Sequence, residues 1–211
     1  MIKKLGAALA VLLTSVPAWA EMPPLKPEVG YEGEAVINAP QAGGPIPVRI
    51  YGEGDYYRAE MTPRPGMTSY SVINFESGKV ISWMKGGPMA QMGNYYMEMD
   101  AKKNGGPMGN WADAEEKVTF TKKGQSTVAG EECTIWHGKP KDGSQGGSAC
   151  ITDDGLRLSM TPDGETEPVF KVTRFSRGDQ PDGLFGPPNG FQPMPFKMPG
   201  NMGGMMGGMP Q

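Results

Sequence analysis

GDYYRAEMTPRPGMTSYSVINFESGKVISWM, residues 54 to 84, is the stretch that decides the fold of this 211-residue chain. Polar and apolar residues alternate through YYRAEM (Tyr56 to Met61), TSYSVIN (Thr68 to Asn74) and KVISWM (Lys79 to Met84). A period of two marks half-buried strands, and the intervening TPRPG and FESG carry the residues that build turns. Connections this short join antiparallel neighbours, because a parallel pair needs a crossover of roughly a dozen residues or more.

The same pattern runs outward in both directions. Upstream lie YEGEAVIN (Tyr31 to Asn38) and PVRIY (Pro47 to Tyr51), and downstream YYMEMD (Tyr95 to Asp100) and KVTFTKKG (Lys117 to Gly124). STVAGEECTIWHG, SACITDDG, LRLSMT and PVFKVTRFS follow, which makes about ten strands bounded by turn residues. Asp154-Gly155 reads as a type I′ hairpin turn. Only WADAEEK, Trp111 to Lys117, supports a turn or two of helix, too short to stand alone. The expected fold class is all-β with little helix. Its architecture is a curved antiparallel meander sheet or half-open β-barrel, formed by a single domain over residues 30–178.

The flanks have no such period. MIKKLGAALAVLLTSVPAWA, residues 1–20, has a basic start, an apolar run from Leu5 to Val16 and a small-x-small end, the pattern of a secretory signal peptide. That run is too short to cross ~30 Å of hydrocarbon. Residues 21–29 are a proline-rich leader, and residues 179–211, rich in glycine, proline and methionine, are expected to form a disordered tail. Export is the implied location, with the periplasm as the favoured destination and secretion as the alternative. Loss of Lys3 and Lys4 takes the formal charge from -3 to -5, since -3 - 2 = -5. With no basic stripe interleaved with aromatics, a nucleic-acid partner is excluded. No second apolar stretch predicts a transmembrane segment.

Cys133 and Cys150 are the only cysteines. In an exported chain a structural disulfide is the favoured pairing, with a redox pair or two metal thiolates as alternatives. Their spacing does not match the C-x-x-C of redox pairs. Symmetry about residues 141 and 142 predicts that they sit nearly opposite each other on two strands of a hairpin.

Nothing assembles into an active site, so the chain is expected not to be an enzyme. His137 is the only histidine, at a strand end where an exposed or capped side chain is the ordinary reading. Asp153 and Asp154 fall in a turn that favours aspartate for its own sake, and Glu131 and Glu132 are adjacent strand residues facing opposite sides. No phosphate loop, dinucleotide fingerprint or zinc spacing is present.

Residues 54–84, with their R-x-E strand at Arg58 and Glu60, and TVAGEECTIWHGKPKDGSQGGSACITDDGLRLSM, residues 127–160, together resemble a family of exported bacterial proteins described only as a domain of unknown function. That family's meander is similar to the half-open β-barrel of the lipoprotein-localisation carriers, the LolA/LolB-like fold. The resemblance covers about half the chain and implies a curved sheet whose concavity holds acyl chains. This chain lacks the long amphipathic helix that plugs the barrel of the carriers, and fold analogy does not by itself transfer an activity.

Two further groups bear on ligands. Trp83, Met84, Met89, Met92, Tyr95 and Tyr96 form a methionine-aromatic segment suited to a hydrophobic small molecule or lipid, because methionine adapts to variable apolar partners. The competing reading is ordinary core, with Met97 and Met99 alternating as a buried strand face. In the tail, Met194, Met198, Met202, Met205, Met206 and Met209 offer thioethers, which select Cu(I). No histidine or cysteine accompanies them, so a low-complexity tail is the competing reading. The expected function is a non-enzymatic cell-envelope protein with an apolar ligand in its curved sheet. Soft-metal binding or a structural and interaction role stand as alternatives.

Overall fold

Alternation in sequence becomes alternation in space along one open sheet in the computed structural model, which describes residues 21–39, 44–87, 93–100, 114–181 and 183–195. The strands are β1 (Tyr31–Ala39), β2 (Gly44–Glu53), β3 (Tyr56–Arg64), β4 (Met67–Asn74), β5 (Lys79–Gly86), β6 (Tyr95–Asp100), β7 (Val118–Val128), β8 (Glu131–Pro140), β9 (Gly147–Ile151), β10 (Arg157–Pro162), β11 (Phe170–Arg177) and β12 (Gln192–Pro193). One short helix, α1 (Ala114–Lys117), precedes β7. The spatial order is β12-β6-β5-β4-β3-β2-β1-β11-β10-β9-β8-β7. Two meanders, β1 to β6 and β7 to β11, are therefore fused where β1 pairs with β11. The sheet ends in β12 on one side and β7 on the other and does not close into a barrel.

Local chemistry explains the strand limits. Pro45 and Pro47 fall where β2 pairs with β1 alone, since β2 meets β3 only from Val48 onward. Proline lacks the N–H that a central strand needs and is tolerated where one side is unpaired. Gly52 is required by its neighbour: a Cβ there would lie 2.1 Å from the Tyr31 ring. Two turns depart from expectation. STVAGEECTIWHG is split into β7 and β8 by a left-handed pair, Ala129 (φ 54) and Gly130 (φ 83), which is the backbone of a two-residue hairpin. Between β9 and β10, the Gly155 amide donates to the Thr152 carbonyl (3.0 Å) and only Gly155 of the pair has positive φ. This is a type I turn with a left-handed glycine, followed by a register shift between Arg157 and Ser159, and not the type I′ turn expected.

The Cys133–Cys150 disulfide is present, with the Cα atoms 5.4 Å apart. Its register differs from expectation by two residues, because Cys150 lies opposite Ile135 and not opposite Cys133. The bond is diagonal across the β8–β9 ladder, at a separation disulfides accept. The symmetry argument fails because it assumes a loop centred on residues 141 and 142, whereas the pairing of Gly138 with Gly147 shifts the hairpin centre.

The main core gathers Tyr31, Ala35, Val48, Ile50, Ala59, Val128, Cys133, Cys150, Leu156, Leu158 and Val172. It thus joins β1–β3 to the inner strands of the second meander. The leader is tied to that end, where the Glu28 amide donates to the Asp154 carbonyl (2.9 Å).

Candidate functional site

From β1 to β6 the pairing is regular enough to assign faces. One face carries Tyr57, Ala59 and Met61 of β3, Ser69, Ser71 and Ile73 of β4, Val80, Ser82 and Met84 of β5, and Met97 and Met99 of β6. The other carries Arg58 and Glu60, Tyr70 and Val72, Ile81 and Trp83, and Tyr96 and Glu98. The methionine-aromatic segment therefore does not form one surface. Trp83 and Tyr96 share one face, Met84 and Tyr95 take the other by alternation, and Met89 and Met92 lie outside the described residues. Met97 and Met99 alternate as expected but are not a buried pair: Met97 is half-buried and Met99 is 40% exposed.

On the first face the apolar surface continues past the core. Met61, Val80, Met84 and Met97 are half-buried and lead to the exposed Met99. At the core end lies a polar group of three. Tyr31 and Tyr57 are both pushed up by burial, Tyr57 to about 12, and burial lowers the nearby Arg157 to about 10. The Arg157 guanidinium, still charged at neutral pH, donates to the Met160 sulfur at 3.3 Å.

The second face holds a denser constellation. Arg58 and Glu60 are two apart on β3 and so share a side. Arg58 donates to the Glu60 carboxylate from Nε (3.0 Å) and Nη2 (2.6 Å). Their side chains are only 12% and 16% exposed. The guanidinium carbon lies 5.2 Å from the centroid of Tyr70 and 5.3 Å from that of Trp83, and these two rings, a direct cross-strand pair, stack at 5.2 Å. A desolvated cation over two rings contributes about 2 kcal/mol, and the stacked pair about 1 kcal/mol.

The aperiodic segment after Gly178 lies across this constellation. The Leu184 carbonyl accepts from Arg58 Nη1 at 2.5 Å. Phe185 stacks on Tyr56 at 5.6 Å, and Phe191 meets the Trp83 ring edge-on at 6.5 Å. The Gln192 and Met194 amides then donate to the Asn94 and Tyr96 carbonyls, each at 2.9 Å, pairing β12 parallel to β6. Of the six tail methionines, Met194 is thus half-buried beside β6, while Met198, Met202, Met205, Met206 and Met209 lie outside the described residues. Leu184, Phe185 and Phe191 had no period to mark them, and the R-x-E pair on β3 was the one visible trace of what they cover.

Elsewhere, His137 Nε2 sits 3.0 and 3.2 Å from the Asp163 carboxylate, a capped side chain beside a shallow depression of 340 Å³. Its lining mixes polar Ser126, Ser148, Thr161 and Glu165 with apolar Ile135 and Ala149. Asp154 accepts from Arg177 Nε at 2.6 Å and from the Thr152 hydroxyl, and the arginine holds its carboxyl below the usual range. Arg177 also reaches Glu131 at 3.2 Å. Among the described residues no group of three or more His, Cys, Asp or Glu is placed to hold a metal ion. No helix there is long and apolar enough to cross a membrane.

The fold and these surfaces define an open antiparallel sheet protein with a covered aromatic face and a methionine face. No family model and no curated protein matches the chain. Among solved structures it is similar to MucB in complex with MucA(peri), at 16% identity over 74% of this chain and 53% of that one, with a TM-score of 0.45. For the MucA/MucB complex of Pseudomonas aeruginosa the figures are 18%, 74%, 54% and 0.47. For PNGF-II they are 12%, 78%, 30% and 0.47. The chain therefore spans about half the length of the MucB chains and less of PNGF-II.

Proposed function

We propose that this chain is an exported, non-enzymatic binding protein of the cell envelope that takes a hydrophobic or lipid-like ligand on its methionine face. The observation that supports this reading is the alignment of Met61, Met84, Met97 and Met99 on one face of β3, β5 and β6, running outward from the core to an exposed end. Unbranched thioether side chains reshape themselves around apolar groups of varied outline. Export is supported by the N-terminal sequence pattern and by the disulfide, which belongs to oxidising compartments.

The test is titration of a fluorescent fatty-acid probe, with native mass spectrometry of protein purified from its own host. Replacing Met84, Met97 and Met99 together by glutamine is expected to weaken probe binding by about tenfold or more, equivalent to ~1.4 kcal/mol, with the thermal unfolding midpoint little changed. A uniformly ligand-free mass with no probe binding by the native chain would overturn the proposal.

A further inference from the structure

The covered face poses a separate question, because what covers it is the chain itself, held through backbone atoms and two phenylalanines. Residues 184–194 form a strap held to the rest of the protein by main-chain groups: the Leu184 carbonyl accepts from Arg58, the Gln192 and Met194 amides donate to the Asn94 and Tyr96 carbonyls, and β12 pairs parallel to β6. Any extended chain carries the same donors and acceptors. The two side-chain anchors, Phe185 on Tyr56 and Phe191 on Trp83, stand six residues apart. Between them GPPNG makes no ladder of its own. β12 is the shortest strand and the only one among the described residues to pair in parallel, and both its residues are exposed.

Beneath the strap, the Trp83 indole N–H is buried and has no hydrogen-bond partner among the described residues. A buried donor without an acceptor is unfavourable, so the strap fits the cleft imperfectly. A segment that brings an oxygen to Trp83 while keeping the other contacts would fit it better.

We propose that the β6 edge and the Arg58–Tyr70–Trp83 cleft form a peptide-binding site, occupied in cis by residues 184–194. An extended segment of a partner protein takes the site over in trans. The partner segment runs parallel to β6, adds to it as a strand, and carries two aromatic side chains at the Phe185 and Phe191 spacing. This site is on the face opposite the methionines and does not depend on their role.

A synthetic peptide of residues 183–195 tests the proposal against two full-length chains, the native one and the F185A/F191A double variant. The variant is expected to bind the peptide at least about tenfold more tightly than the native chain, with the amides of β6 protected from exchange on binding. A peptide with both phenylalanines replaced by alanine should not bind. Equal binding by the two chains, or binding by neither, would overturn the proposal. A second measurement needs no variant. In the native chain the Gln192 and Met194 amides should exchange about 100-fold faster than the β5–β6 ladder amides, as a locally opening segment does. Exchange at the same rate as the ladder would show a permanent strap and defeat the idea.

Discussion

The two ends of the sheet are secured in opposite ways. At the β7–β9 end a covalent bond joins Cys133 to Cys150, and Arg177 ties the β9–β10 turn at Asp154 to the start of β8 at Glu131. At the β6 end the last strand is two residues long, held by its short parallel pairing with β6, the Leu184 carbonyl and two phenylalanines. One end resists opening and the other is built to be released. The contrast matters because segments that engage partners are drawn from the least stable part of a fold.

Trp83→Ala is expected to strike the β6 end hardest. Trp83 is 2% exposed and supports Tyr70, Arg58 and Phe191 at once, so urea unfolding should show a loss of about 3–5 kcal/mol. A loss below ~1 kcal/mol would mean that the aromatic stack is not a structural unit. Next, replacing both cysteines by alanine should cost about 3 kcal/mol, the usual value for a loop of this size. If the loss were negligible, the β7–β9 end would not be pinned by its disulfide.

Acid comes third. Asp154 has its carboxyl lowered from 3.8 by Arg177, so the stability it contributes is present above pH ~4 and is lost as pH falls through the lowered value. Because the pair is partly solvated, Asp154→Asn should remove at most about 1 kcal/mol at neutral pH and flatten the acid limb of the stability curve. An unchanged acid limb would exclude this contact as its source. The smallest effect has the opposite sign. Ala129 stands at φ 54, where a Cβ is unfavourable, so Ala129→Gly should stabilise the β7–β8 hairpin by about 0.5 kcal/mol in thermal unfolding.

How much of this was legible follows from what each feature is made of. β1 and β3–β6 could be read because polar and apolar residues alternate along them and turn residues mark their ends. The Ala129-Gly130 turn was invisible, since alanine carries no preference for a left-handed backbone. The disulfide was readable from cysteine count and export, yet its register was not, because that depends on how the hairpin loop closes. The separation of Trp83 from Met84 was written in their adjacency, as neighbouring strand residues face opposite ways. The strap was not, because backbone donors and acceptors leave no residue pattern. Leu184, Phe185 and Phe191 are too far apart to show a period.

Pro193 carries one more consequence. Gln192 and Met194 donate inward to β6, so the nitrogen between them points away from the sheet, and in proline it has no hydrogen to give. In the language of polymers, the strap is a chain terminator. The far edge, β7, contains no proline and relies on Lys122, Lys123 and a bulge between Lys122 and Gly124 to deter addition. Unseating residues 184–194 therefore converts a terminated edge into an open one. Two copies that meet through their β6 edges use the same strand on both sides and close as a two-fold pair, so concentration-dependent dimers are the expected fate of chains that lose the strap.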